Sequence, residues 1–327
     1  MKEILLSDIG GFAVGHAQNE EAATGLTVIL FDKQTPVGID IRGGGPASRE
    51  TPLLDPHMAA AGLHAIVLGG GSAYGLDAAG GVMRYLEQRG IGLAVGPTVV
   101  PLVTQSDIFD LGIGRFDVRP DAAMAAEACA AAEHSMPALG NVGVGCGCTV
   151  GKAAGPAYAM KTGIGAYAVQ VGEVKVGALI AVNAVGDIYD PETGKEIAGL
   201  RGEKKGELHK TEQLIWGMAS RLREDGAVTN TTIGAVFTNA RFNKGELGKI
   251  AGMAQDGLAR SIRPVHTSND GDTLYAAGTG EVEAPLDVVG TLAAYVTAKA
   301  VCSAAWQAES SHGFPCASEW IASAEKE

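Results

Sequence analysis

Three short polar residues, Asn230, Thr231 and Thr232, lead into the small and β-branched apolar run Ile233-Gly234-Ala235-Val236-Phe237. Within the stretch from Val228 to Asn239, the apolar half reads as a buried strand. A core strand has no packing reason to open on polar residues. It does, however, fix the position of any hydroxyl at its mouth. A Thr hydroxyl is a poor nucleophile until a base activates it, and the α-amine of an N-terminal Thr is one such base. That amine exists only if the chain is cut before Thr231. Asn230–Thr231 is therefore a candidate self-cleavage bond. The competing reading is a Thr-rich strand end with no chemistry.

Other residues of chemical interest lie far from this stretch in sequence. Asp270-Gly271-Asp272 sets two carboxylates one residue apart, in the loop His266–Thr273. An Asx-rich turn accounts for the pair, and so does a cation-binding loop. The further oxygen ligands a calcium loop needs are missing, and no metal site is expected. Gly69-Gly70-Gly71 follows the apolar run Ala65–Leu68 and precedes a helical pattern, as in a phosphate-binding turn. The dinucleotide spacing fails, because residue 74 is Tyr, and no Gly-Lys-Ser/Thr follows. Close packing of a helix start against a sheet is the better reading. A second glycine-rich loop spans 138–155, with Lys152 alone at its end. A solvated lysine is the ordinary explanation of such a residue.

The elements that must position these residues alternate along the chain. Strands are expected at 24–31, 36–42, 65–68, 164–172, 174–182 and 274–277, with a short strand before the first of them. Helices are expected around His57–Ala61, from the glycine turn through Gln88, over Asp121–His134, over Lys244–Arg260 with Asn243 as N-cap, and over Leu286–Ala308, and Thr211–Arg223 reads as a short amphipathic stretch. Residues 91–118 read as irregular. Residues 187–211 read as the most hydrophilic part of the chain, with a mobile loop at 203–207, and the tail from Ser310 as loosely held. No repeat or low-complexity linker interrupts the chain, so one domain over 1–327 is expected.

Composition narrows the function. The chain has 327 residues and is 46% hydrophobic, enough for a large core. Only 5% of residues are aromatic, and there are 47 glycines, so small residues must build the interior. A net charge of -12 repels nucleic acid and anionic membrane surfaces. The apolar run 284–306 comes nearest to a membrane span, but Asp287 and Lys299 interrupt it. The first residues are too short and acidic a run for a signal peptide. Five cysteines, an odd number, argue against a disulfide framework. A cytoplasmic protein is expected.

Several motifs in order now carry a resemblance. Asn230-Thr231-Thr232-Ile233-Gly234, Phe237-Thr238-Asn239-Ala240, Pro264-Val265-His266-Thr267 and Asp270-Gly271-Asp272-Thr273, with Gly69–Leu76 and Gly151-Lys152 upstream, are similar to the DmpA-type peptidases. That family includes L-aminopeptidase/D-esterases, β-peptidyl aminopeptidases and nylon-oligomer endohydrolases. The resemblance implies an α/β fold, a four-layer αββα sandwich like that of N-terminal-nucleophile hydrolases. It implies self-cleavage between Asn230 and Thr231 into 1–230 and 231–327. It assigns Thr231 as nucleophile, with Lys152 and Asn183 matching the family's catalytic Lys and Asn, and Asp270 and Asp272 completing the set. Tyr74 and Phe109 are the implied substrate-binding positions. The nylon-oligomer members carry Tyr where this chain has Phe109, which removes a hydroxyl near the site. No cofactor is implied. The partners implied are a small peptide or amide substrate and further copies of the chain, as a homo-oligomer and often a tetramer.

The implied chemistry is acyl transfer. Thr231 Oγ would attack the Asn230 carbonyl, and the freed α-amine, with an unperturbed pKa of about 7.7–8.0, would then serve as base. Asn183 would stabilise the oxyanion, a donor typically worth roughly 3 kcal/mol. Two other classes share parts of this pattern: an acyltransferase of ornithine-acetyltransferase type, and a non-enzymatic protein that holds a small ligand in its glycine-rich loops.

Overall fold

The computed structural model describes residues 1–220 and 230–321. Two sheets lie face to face. The first has six strands, in the order Lys2–Ile4, Ile164–Val171, Val174–Asn183, Thr231–Ala240, Thr273–Val282 and Val37–Ile41. The second has five, in the order Phe12–Asn19, Thr24–Thr35, Leu63–Gly69, Val103–Asp107 and Ala47–Arg49. Side chains alternate between faces along each strand. Ile233, Ala235 and Phe237 therefore point between the sheets, with Leu179, Tyr275, Ile29, Ile66 and Leu68. Phe12 of one sheet stacks on Phe237 of the other at 4.0 Å between centroids. On the outer face of the first sheet, Val236, Ile180 and Val182 pack under helices Lys244–Ser261 and Leu286–Trp306. On the outer face of the second, Val28, Val67 and Ala65 pack under helices Ala79–Glu87 and Ala122–Ala130. The result is the four-layer αββα order.

Small residues make these layers close. A Cβ at Gly38 would stand 2.0 Å from the backbone of Gly248, and one at Gly165 would stand 2.2 Å from that of Ala304. Helix starts follow local rules: Asn243 and Glu246 form a reciprocal capping box, and Asp121 accepts from two backbone amides of its helix.

The structure departs from the sequence reading in four places. Residues 91–118 contain a hairpin, Leu93–Val95 with Thr98–Val100, and the interior strand Val103–Asp107. That strand is buried along its whole length although four of its five residues are polar. Neighbours satisfy the side chains of Thr104, Gln105 and Ser106 and one oxygen of Asp107, so the strand shows neither alternation nor an apolar run. The expected helix at His57–Ala61 is absent. A 3-10 turn at Thr51–Leu54 replaces it, started by Pro52. Residues 187–211, expected to be the most hydrophilic part of the chain, carry four short strands with Ile188, Ile197, Ala198 and Leu200 buried, and the expected loop 203–207 lies between the last two strands. Buried Asp187 organises them, accepting from the Leu200 and Thr211 amides and the Thr211 hydroxyl. The tail from Ser310 is held to residue 321: Cys316 and Ala317 are buried, and Trp320 donates its indole N–H to Glu207 O at 3.0 Å. Helix Thr211–Gly217 continues as a 3-10 turn to Ser220. The expected remainder to Arg223, the Val228-Thr229 start of the reactive stretch, and residues 322–327 lie outside the described residues.

Candidate active site

Thr231 opens the central strand of the six-stranded sheet. It pairs across the antiparallel ladder with Asn183, the last residue of its neighbour. On its other side the same strand runs parallel to Thr273–Val282, with Ile233 opposite Thr273. That second pairing draws the loop 266–272 alongside the Asn230–Thr231 bond, and a bridge joins Asn230 to Asp270. Thr231 continues the inner row of Ile233 and Ala235, as Asn183 continues that of Leu179 and Ala181. Both side chains therefore occupy the space between the sheets. Thr232 faces the other way, and its buried hydroxyl has no hydrogen-bond partner among the described residues.

The Asn230–Thr231 peptide is held at its carbonyl, and the peptide after it at its N–H. Asn230 O accepts from the Gly271 amide at 2.9 Å, and the Thr231 hydroxyl also donates to it. The Thr232 amide donates to Asp272 Oδ1 at 2.7 Å. Asp272 Oδ2 accepts from both the backbone amide and Nδ1 of His266, at 3.0 and 2.9 Å. Asp270 Oδ2 accepts from the Thr267 amide at 2.7 Å, while its buried Oδ1 has no partner among the described residues. Burial, and then the neighbouring charge of Asp272, push Asp270 up to about 6.

Asn183 is a hub rather than a free donor. Its Oδ1 accepts from Lys152 Nζ at 2.8 Å and from the Thr149 amide at 3.1 Å. Its Nδ2 donates to Phe109 O at 2.9 Å. Lys152 Nζ also donates to Asn183 O at 2.9 Å. The solvated-lysine reading is thus displaced. Lys152 is partly exposed along its length, but protein crowds its ammonium. Desolvation lowers its pKa to about 7, against the opposing pull of Cys148, Asp270 and Asp110.

Both glycine-rich loops serve this cluster. In the first, a Cβ at Gly70 would stand 2.0 Å from Asp110 Oδ2, and one at Gly69 would stand 2.4 Å from Asp107 Oδ1. The turn that resembles a phosphate loop is filled by the protein's own carboxylates. Asp110 accepts from the Gly71 amide and the Thr24 hydroxyl, both at 2.7 Å, and burial raises it to about 6. In the second loop, Lys161 is fully buried and its ammonium donates to the carbonyls of Gly145, Cys148 and Thr162. Desolvation brings Lys161 down to about 8. The loop it gathers delivers the Thr149 amide to Asn183.

Five of the residues named from sequence thus converge: Thr231, Asn183, Lys152, Asp270 and Asp272. Two do not join them through side chains. Phe109 contributes its carbonyl, so the missing hydroxyl is not what links it to Asn183. Tyr74 is 64% exposed, with the Arg119 guanidinium over its ring at 4.0 Å. Sequence reasoning assigned no role to His266, Asp110, Lys161 or Gly271. His266 and Gly271 lie inside a quoted motif, which was the available signal. Lys161 has none, because a lone lysine reads as surface. Among the described residues no group of three or more His, Cys, Asp or Glu could hold a metal ion. Asn230, Thr231, Asn183, Asp270 and Asp272 are all buried in the uncut chain.

The model of peptidase family S58 matches residues 5–317, and the chain belongs to that family. An uncharacterized aminopeptidase of Mycobacterium tuberculosis is 40% identical over 337 residues, covering 95% of this chain and 96% of its own length. A 6-aminohexanoate-oligomer endohydrolase of Kocuria sp. is 32% identical over 287 residues, covering 87% and 77%. Among solved structures, a Burkholderia sp. beta-aminopeptidase superposes with a TM-score of 0.68 at 20% identity, over 98% of this chain and 93% of that one. The L-aminopeptidase D-Ala-esterase/amidase of Ochrobactrum anthropi, described as a variant of the Ntn hydrolase fold, gives 0.68 at 18%, over 93% and 86%. These two likenesses establish the fold. The family establishes a hydrolase acting on amide bonds, and the acyltransferase and ligand-binding alternatives are not favoured.

Proposed function

We propose that this S58 peptidase cuts its own Asn230–Thr231 bond and then uses Thr231 as an N-terminal nucleophile. The observation that carries the reading is the convergence on Thr231 of Asn183, directly across the ladder, and Lys152, bonded to Asn183 through two oxygens. Cutting frees an α-amine whose unperturbed pKa lies near neutrality, which makes it a competent base for the hydroxyl beside it. Asp270 Oδ1, without a partner before the cut, accepts from that new amine. In turnover, Thr231 Oγ attacks a substrate carbonyl, the leaving amine takes up the proton, and water releases the acyl group. Asn183 turns its Nδ2 from Phe109 O to the oxyanion once substrate enters. Lys152, near-neutral in pKa, moderates the charge that develops there.

The substrate class is a small peptide or amide with a free amino end. The printed activities of the relatives support it, as does the acidic balance of the chain. The chain acts as a homo-oligomer, a tetramer by the resemblance, in the cytoplasm, where its five free thiols stay reduced. Intact mass of the purified protein, with N-terminal sequencing of the smaller fragment, tests the core of the reading. Fragments ending at Asn230 and beginning at Thr231 support it. An uncut chain that hydrolyses peptides, or a fragment beginning at Thr232, overturns it.

A further inference from the structure

We infer that the backbone amide of Gly271 is the oxyanion donor for the self-cleavage step. This rests on the self-cleavage proposed above. The donor must lie where the carbonyl oxygen of Asn230 gains charge. Gly271 N–H already donates to that oxygen at 2.9 Å. Asn183, the donor expected from sequence, is engaged elsewhere in the uncut chain. Its Nδ2 is bonded to Phe109 O, and its Oδ1 is taken by Lys152 and Thr149.

The residue type fits the task. A Cβ at position 271 would stand 2.8 Å from Thr231 Oγ, 3.2 Å from Thr231 Cγ2 and 3.2 Å from Gly45 O. Only a residue without a Cβ lets this amide and the attacking hydroxyl meet at one carbonyl. The neighbours fit as well. Asp270 is anchored by the Thr267 amide, and Asp272 by the Thr232 amide and by His266. The paired carboxylates are braces on either side of one N–H, and Asp272 at the same time holds the N–H of the next peptide, Thr231–Thr232. A preorganised donor of this kind costs no reorganisation as charge develops.

The step balances with water as its only co-reactant. Thr231 Oγ bonds to the Asn230 carbonyl carbon, and its proton passes to the Thr231 nitrogen as the C–N bond breaks. Gly271 N–H stays on the oxygen while the carbon is tetrahedral. Water then adds to the ester carbon, Thr231 Oγ–H departs, and Asn230 keeps a carboxylate.

The test replaces Gly271 by glycolic acid in cell-free translation, which removes the N–H and keeps the shape. Self-cleavage is followed by intact mass, and folding by near-ultraviolet circular dichroism. The expected result is a folded chain that cleaves on the order of 10²–10³-fold more slowly than wild type. A folded ester chain that cleaves at the wild-type rate overturns the assignment. Should the ester chain not fold, the uncut Thr231→Ala protein decides. A scalar coupling across the hydrogen bond, between the Gly271 nitrogen and the Asn230 carbonyl carbon, supports the assignment, and its absence overturns it. A wild-type chain that never cleaves removes the underlying reading. That failure is distinct from a wild type that cleaves with an ester chain that cleaves equally fast.

Discussion

Asn183 lies directly across an antiparallel ladder from Thr231, and its carboxamide oxygen accepts from the ammonium of Lys152 at 2.8 Å. A register shift of one residue would turn Asn183 to the other face of the sheet and dissolve this contact. The site is therefore specified by strand pairing as much as by the side chains themselves.

Thr231→Ala is expected to leave a single full-length chain without peptidase activity. Thr231→Ser should still be cut at the same bond. Thr232→Ala should also be cut, because that hydroxyl faces away from Asn183. Denaturing gels and intact mass read all three, and a cut Thr231→Ala chain would refute the assignment.

Lys152→Met should change how stability depends on pH. The wild-type amine is held near 7 in the folded state, below its ordinary value of 10.5. Between those values the unfolded chain binds the extra proton, so wild-type stability rises with pH across the window. Below about 7 the folded state carries the desolvated charge at full cost. The melting temperature of Lys152→Met, measured relative to wild type, should be highest below pH 7 and fall towards pH 10. A difference independent of pH would show that the amine is not desolvated.

Asp270→Asn tests the acid side of the activity profile. Burial and Asp272 raise this carboxyl to about 6, so it loses its charge as pH falls through 6. Hydrolysis by wild type should decline across that range. The variant should be about 10- to 100-fold slower near neutrality, with a flatter acid limb. An acid limb identical to wild type would assign it to another group, the Thr231 α-amine that serves as base or Asp110, which burial also brings to about 6.

His266 holds Asp272 from a left-handed backbone, with φ of 59°. Asn tolerates that conformation and carries a donor near the place of Nδ1, whereas a β-branched residue does neither. His266→Asn should keep most of the self-cleavage rate. His266→Val should lose at least about 10-fold and melt earlier. Equal behaviour of the two would mean that neither the backbone nor the donor matters.

Lys161→Met should be the most destabilising of these changes. It leaves three buried carbonyls without their donor, a loss of about 3 kcal/mol or more. Urea unfolding measures it. Activity should fall as well, because the loop that Lys161 gathers presents Thr149 to Asn183.

Much of this was legible in the sequence where side-chain type and local period agree. The strand from Thr231, the helix capped by Asn243 and the glycine-marked turns follow from short-range rules. The five residues around Thr231 were found through motif order. The interior strand Val103–Asp107 was not legible, because most partners of its polar residues are distant in sequence, such as Tyr275 on Ser106 at 2.6 Å. Lys161 was hidden for the same reason. Its three acceptors are backbone oxygens, which leave no mark on composition. The work of Gly271 was hidden too, since an amide has no letter of its own.

The central strand and its parallel partner Thr273–Val282 are inserted between Val174–Asn183 and Val37–Ile41. A break before Thr231 would thus divide one continuous sheet between two polypeptides, with the smaller piece hydrogen-bonded along both its borders. The halves would remain together, since parting would bare two rows of unpaired amides and carbonyls. Assembly, however, would no longer be a first-order event. Once denatured, the nicked molecule must find its missing half by diffusion, so recovery would depend on dilution in a way that the nascent chain never experiences. Maturation on this scheme makes return from the denatured state a second-order event, and in dilute solution the persistence of the enzyme then rests on how slowly it unfolds.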